Sequence, residues 1–329
     1  MRLGLENFIG EAWADTRFDW RMNAMAENYV IGVDLGGTKL AAALVDGKGQ
    51  VSKQSILAVD TSSSLAPVNQ IVAVTRELIR AKGAKKTISG IGVAVPGLVR
   101  RDGTVWAPNL NGWKRMALAQ GLKRALGLPV IVESDRNAAV LGEVWCGAAR
   151  GKSDAIVLML GTGIGAGILS GGNLVRGAHE LSGCAGWMVV AEKYGSEAQN
   201  VGQLESLAAG PAIARAARAM NAQSVAEAAR RGDRTSINIY LEAGRMLGYG
   251  VANLVSLFDP EIVVIGGGLA KASDLFLDAL RKAVKERAQP IAASRVRIVI
   301  SPLGSHANLL GVARLASSIG RIGRRRTGG

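Results

Sequence analysis

Three glycine-rich turns carry the residues best suited to chemistry: Asp34-Leu35-Gly36-Gly37-Thr38-Lys39, Gly161-Thr162-Gly163 and Gly266-Gly267-Gly268. Glycine lets backbone N–H groups come close to a phosphate, while Thr hydroxyls and a Lys add donors and positive charge. A single turn of this kind would read as a hairpin. Here each follows an apolar run, and together they would supply phosphate and adenosine contacts from three places around one cleft. Asp34 precedes the first turn. A second acid, Asp135, stands where strand Val130–Val132 gives way to a helix beginning near Arg136. A carboxylate at such a junction either caps the helix or points into a cleft. Phosphoryl transfer wants one acid to orient the attacking hydroxyl and another to hold Mg²⁺, directly or through water.

Other nucleotide motifs fit less well. A P-loop needs G-x-x-x-x-G-K-[ST], and Gly147-Ala-Ala-Arg-Gly151-Lys152-Ser153 is one residue short and follows a helix. A dinucleotide fingerprint needs a strand, G-x-G-x-x-G and then a helix. Gly161-Thr-Gly-Ile-Gly-Ala-Gly167 runs instead into strand-like Ile168-Leu169, which disfavours hydride transfer.

The elements that must position these turns repeat. Tyr29–Asp34, Leu40–Val45 and a strand starting at Gln50 read as a meander; a helix over Val68–Ile79 and a buried strand Ile88–Val95 follow. Ala155–Leu160, the turn at Gly161–Gly163 and Gly165–Leu169 repeat the opening device, so the chain reads as two related domains facing each other. Helices are expected over Arg136–Ala149, Gln203–Met220, Ser236–Phe258, Ser273–Arg287 and Asn308–Ser318, with strands Glu261–Ile265 and Val296–Ile300. The fold class is α/β with mixed sheets. The expected organisation is an N-terminal extension (1–28), an N-terminal domain (29–138) on which a last helix near 305–320 packs back, a C-terminal domain (139–304) and a basic tail (321–329).

Composition narrows the class. The 329 residues suffice for two cores, and 43 glycines with few aromatics suit strands and helices joined by tight turns. No apolar run reaches the roughly 18 residues of a membrane span, and the N-terminus lacks a signal-peptide core, so a cytoplasmic protein without membrane contact is expected. Two cysteines and two histidines neither frame disulfides nor make a structural zinc site. The net charge of +14 is concentrated in part at Arg321–Arg326, either a solvated end or an arm for a polyanion.

Taken jointly, IGVDLGGTK (31–39), IGVAVPGLV (91–99), APNLNGW (107–113), SDRNAAVLGE (134–143) and LGTGIGAGIL (160–169) resemble the motifs of the ROK family of repressors and sugar kinases. ESLAAGPAIARAA (205–217) and DPEIVVIGGGLA (259–270) extend the resemblance over roughly residues 29–318. It implies an actin-like ATPase (ribonuclease H-like) fold, two duplicated α/β domains around a cleft, a homodimer, and transfer of the ATP γ-phosphoryl group to a sugar hydroxyl with Mg²⁺. By match, Asp135 would be the catalytic base. Asp34, Gly36, Gly37, Thr38, Lys39, Gly161, Thr162 and Gly163 would serve the phosphate side, and Gly267 and Gly268 would border adenosine. On the acceptor side, Gly97, Asn109, Asn111, Ser134, Asp135, Trp187 and Glu205 are the candidates.

The departures from the pattern cluster on that acceptor side. Ser134 stands where the family has Asn. Cys184-Ala-Gly-Trp187 stands where it has Glu-x-Gly-His, and the family's zinc-binding cysteines are missing across Ser196–Glu205. Losing the His and every Cys together implies that no zinc is bound. Trp187 would then either fill the vacated space as core or stack on a substrate face. Family regulators carry a helix-turn-helix domain ahead of the core, and the 28 residues before Tyr29 are too few for one. Specific nucleic-acid binding is therefore not expected. The leading expectation is an ATP-dependent kinase of glucose or an aminosugar, with a non-catalytic sensor or a kinase of another acceptor as alternatives.

Overall fold

A computed structural model describes residues 28–81 and 87–325. The expected extension therefore lies outside the described residues except for Asn28. The chain divides into two compact units, one of residues 1–151, 176–181 and 306–329, the other of 152–175 and 182–305.

The first unit opens with β1 (Asn28–Leu35), β2 (Lys39–Val45) and β3 (Val51–Ala58), an antiparallel meander. Helix α1 (Ala66–Ala81) follows, then β4 (Thr87–Val95), the small hairpin β5 (Leu98–Val99) and β6 (Val105–Trp106), α2 (Leu118–Leu126), β7 (Val130–Ser134) and α3 (Asp135–Cys146). β4 joins β1 in parallel and β7 joins β4 in parallel, so the sheet order is β3-β2-β1-β4-β7. The central strands are buried on both faces, which explains their unbroken apolar runs; β3, at the edge, is exposed along nearly all its length.

The second unit repeats this plan. β8 (Ala155–Leu160), β9 (Ile164–Ser170) and β10 (Asn173–Leu174) form the antiparallel part. Helices α4 (Ala198–Val201), α5 (Gln203–Ala208), α6 (Gly210–Ala216), α7 (Ala222–Arg230) and α8 (Arg234–Phe258) precede β11 (Ile262–Gly266). After α9 (Ser273–Arg287) and α10 (Pro290–Arg295) comes β12 (Arg297–Ile300). The order is β10-β9-β8-β11-β12, again three antiparallel strands followed by two parallel ones. The doubled device in the sequence is thus a doubled sheet.

The helix expected over Gln203–Met220 is broken. Ala209 is extended, with ψ at 166°, and Pro211 sits in the first turn of the next helix, where its missing N–H costs nothing. The Gly210 N–H donates instead to the Gly161 carbonyl at 2.9 Å, tying the break to the phosphate-type turn.

The final helix, α11 (Ala307–Arg325), returns to the first unit and packs on α3, β1 and β4. Glycines make this approach possible. A Cβ at Gly92 would stand 2.0 Å from the Val312 carbonyl oxygen, one at Gly142 2.1 Å from that of Ala307, and one at Gly311 1.8 Å from that of Ala138. The helix continues past Ser318 and takes in Arg321, Arg324 and Arg325, so this stretch of the expected tail is helical; residues 326–329 lie outside the described ones.

Candidate functional site

Asp34 is the penultimate residue of β1, and Asp135 begins α3 directly after β7, so both acids sit at the same end of one sheet with β4 between their strands. Burial lifts Asp34 to about 7, and the negative charge of Asp135 adds to the rise. A hydrogen bond from Asn308 Nδ2 (3.3 Å) and the charge of Lys39 act in the opposite sense. Asp135 is likewise raised, chiefly by burial, against the charge and backbone N–H of Arg136. It occupies the first helical position rather than the cap, and its Oδ1 takes the Arg136 N–H at 2.8 Å. Ser134 holds the cap position without capping: its hydroxyl lies 3.4 Å from Glu133 Oε1.

The turn after Asp34 is closed by Gly36 N–H donating to the Lys39 carbonyl at 2.8 Å. Gly37, Thr38 and Lys39 are exposed, and a side chain at Gly37 would meet nothing within 4 Å. Its backbone is thus open to a ligand.

Beneath Asp135 lies a buried ionic cluster with no local sequence signal. Glu133, 1% exposed, accepts from Ser134 N–H (2.8 Å) and Asn137 Nδ2 (3.0 Å) through one oxygen, and pairs with Arg176 at 2.6 Å through the other. Arg176 also approaches Glu180 (3.8 Å), which Arg101 reaches at 3.1 Å. The Arg136 guanidinium donates to the carbonyls of Glu180 (3.1 Å) and Gly97 (3.3 Å). Gly97, with φ of 92°, has no room for a Cβ, which would stand 2.2 Å from the Trp106 carbonyl oxygen. Asn109 and Asn111 are exposed on the loop that closes with Ala107 N–H on Trp113 O.

In the second unit, Gly161-Thr162-Gly163 is pinned by Gly161 N–H on Gly163 O at 3.0 Å. Glu205 braces the same turn. Its Oε2 accepts from Ile164 N–H at 2.7 Å and packs against Gly163 and Gly186, where a Cβ would stand 2.8 Å away. Burial raises its pKa, with the Ile164 N–H pulling the other way. Trp187 is 53% exposed, so it does not fill a vacated core. Gly267, at φ of 86°, passes so close to Leu160 that a Cβ would lie 2.2 Å from its carbonyl oxygen.

Gly161, Thr162 and Gly268 share the rim of a cavity of about 770 Å³ within this unit. Its apolar lining includes Ala226, Tyr240 and Leu269, and its polar lining Asn221, Gln223, Glu227, Arg230 and Lys271. Gly161 and Gly268 have nothing within 4 Å of a would-be side chain. The α7 residues of this lining escaped the sequence reading; Asn221, whose side chain caps α7 by accepting from Ser224 N–H at 2.9 Å, was the available signal. Asn308 and the Glu133–Arg176 pair were also missed. Among the described residues no group of three or more His, Cys, Asp or Glu side chains is arranged to hold a metal ion, and no helix is long and apolar enough to cross a membrane.

Two sheets of one order, each with a glycine turn after its first strand, define the actin-like ATPase fold. Solved structures agree: a ROK family glucokinase from Streptomyces griseus in complex with glucose and AMPPNP matches with a TM-score of 0.73 and 30% identity, over 88% of this chain and 100% of that one. A ROK hexokinase from Thermus thermophilus matches with a TM-score of 0.77 and 29% identity, over 89% and 99%. The ROK family profile covers residues 30–319, and the chain belongs to that family. A glucokinase of Streptomyces coelicolor is 32% identical over 316 residues (87% of this chain, 96% of that protein). A xylose repressor of Caldicellulosiruptor bescii is 30% identical over 312 residues (88% and 78%), so similarity extends to both kinases and repressors.

Proposed function

We propose that the protein is an ATP-dependent sugar kinase that transfers the γ-phosphoryl group to a hydroxyl of a hexose or aminosugar. The observation carrying this reading is the pair Asp34 and Asp135, two acids at one sheet end whose burial raises the proton affinity of both, with the charge of Asp135 adding to the rise at Asp34, beside an open glycine turn. Asp135 accepts the proton of the acceptor hydroxyl while that oxygen bonds to the γ-phosphorus and the bond to the β–γ bridging oxygen breaks. Its pKa, lifted above the ordinary carboxylate range, brings it nearer to the match a general base needs. The carboxylates also fit Mg²⁺, a hard cation that takes oxygen ligands and would offset their repulsion. Asp34 would hold it directly or through water, and the ion would neutralise charge on the phosphates.

The Gly36 and Gly161 N–H groups close their own turns, which leaves the backbone of Gly37–Lys39 in the first unit and of Thr162–Gly163 in the second to serve phosphate oxygens, with Thr38, Lys39 and Thr162 adding side-chain donors. The 770 Å³ cavity bordered by Gly268 takes the nucleoside. Gly97, Asn109, Asn111, Ser134, Trp187 and Glu205 serve the acceptor. Cys184 and Trp187, with no cysteine across Ser196–Glu205, support a site without zinc.

An ADP-release assay over a panel of hexoses and aminosugars, run beside elemental analysis for zinc, tests the reading. Turnover with at least one sugar and no stoichiometric zinc is the expected result. Folded protein that turns over none of them refutes it, and the xylose-repressor relative would then favour a non-catalytic sensor.

A further inference from the structure

We infer that Glu227 recognises the ribose hydroxyls of the bound nucleotide and makes the enzyme discriminate against deoxyribonucleotides. The inference rests on the proposal that the second unit's cavity takes the nucleoside. Glu227 is the single carboxylate lining that cavity. A vicinal diol presents two O–H donors, and an ionised carboxylate is the side chain with acceptors only.

The geometry prepares Glu227 for this and leaves it no other evident task. Gln223 Nε2, one turn earlier on α7, donates to its Oε1 at 3.0 Å and fixes the rotamer. Its second oxygen takes no hydrogen bond from the described residues, and no cation among them lies within ion-pair distance of it. The nearby Arg230 is already committed: its guanidinium holds Asp274 through both carboxylate oxygens, at 2.9 and 2.7 Å, and donates to the Lys271 carbonyl at 3.0 Å. That bidentate pair ties α7 to the start of α9, the Asn221 cap fixes the front of α7, and the Tyr240 hydroxyl bonds the Ala222 carbonyl at 2.7 Å. The carboxylate therefore stands on a braced element, and apolar Leu269 and Ala272 line the same cavity, where they can receive a base.

The test is calorimetric binding of ADP, 2′-deoxy-ADP and 3′-deoxy-ADP with Mg²⁺, without any acceptor sugar. Loss of a hydrogen bond to a charged group predicts that the wild type binds at least one deoxy analogue about 10- to 100-fold more weakly than ADP. E227A is expected to bind ADP as weakly as that analogue, and E227Q to fall between. Glu227 is exposed, so these variants should fold, and each ADP-to-analogue ratio is its own control. ADP binding with no discrimination in the wild type, or with discrimination kept in E227A, overturns the role of Glu227 alone. If the wild type takes up no ADP, the nucleotide assignment falls and this inference with it.

Discussion

Replacing Asp34 by Asn should stabilise the unliganded protein at pH 8 while removing activity. The Asp34 carboxyl moves from 3.8 to about 7 on folding, a shift of about 3 units, and each unit is worth about 1.4 kcal/mol, which sets a ceiling of about 4 kcal/mol. Asp34 keeps partial solvent contact, and both protein and water relax around it, so about 2 kcal/mol is the expected effect. The sign follows from proton binding. The native protein holds this proton to higher pH than the unfolded chain does. The contribution to stability is therefore greatest below pH 4, falls between about 4 and 7, and is flat above. Asn cannot ionise, and its amide oxygen can still accept the Asn308 bond. Urea titrations of both proteins from pH 5 to 8, without nucleotide or metal, should show a slope in the wild type that is smaller in D34N, the remainder belonging to Asp135 and Glu205, which are also raised. Millimolar Mg²⁺ should weaken the wild-type slope, because a bound cation favours the ionised carboxylate. A D34N protein that is less stable at pH 8, or that differs from wild type equally at both ends of the range, would refute the reasoning.

Four further outcomes follow from the same geometry. D135N should lower turnover about 10²- to 10⁴-fold while leaving nucleotide affinity little changed, measured by steady-state kinetics and calorimetry. In the wild type, kcat should fall as pH drops through the raised pKa of Asp135, so the acid limb should lie above the ordinary Asp value of about 3.9. R176M leaves the buried Glu133 carboxylate without its 2.6 Å partner and should cost about 3–5 kcal/mol in urea unfolding, part of it restored by R176K. G311A should destabilise by about 1–3 kcal/mol or more despite Ala's better helix propensity, because its Cβ would press on the Ala138 carbonyl; a raised thermal midpoint would contradict the close packing of α11.

What could be read from the sequence follows from how each feature is encoded. The turns after β1 and β8 were legible because a strand buried on both faces is an unbroken apolar run, and a phosphate-type turn is a run of glycines. The helix break at Ala209–Gly210 was not foreseen even though Pro211 marks it, since the apolar spacing of Gln203–Met220 continues across it and only the bond to Gly161 reveals why the chain stops there. α2 and α7 were overlooked because each is only nine residues long, too short for its apolar spacing to recur more than once; Asn221 and Gly127 were the local caps that could have marked them. The packing of α11 depends on Gly92, Gly142 and Gly311 meeting carbonyls far away in sequence, and no window holds that information.

The same distinction separates the two halves of the site. Phosphate recognition draws on consecutive backbone N–H groups, so a short motif suffices to announce it. Acceptor recognition draws on side chains whose meaning depends on what they touch. Glu205 illustrates the point: in sequence it is a lone surviving acid, whereas in the fold one of its oxygens already accepts from Ile164 N–H and packs on Gly163 and Gly186. Under the proposed function its other oxygen serves an acceptor hydroxyl, and the carboxylate braces the turn at Gly161–Gly163 as well. An acid that binds one substrate while fixing the turn for the other couples the two, so truncating it should weaken nucleotide and acceptor binding together. Trp187 makes the converse point. Over half of its surface is open, so its ring is not core, and under the proposed function that aromatic face is offered to the acceptor.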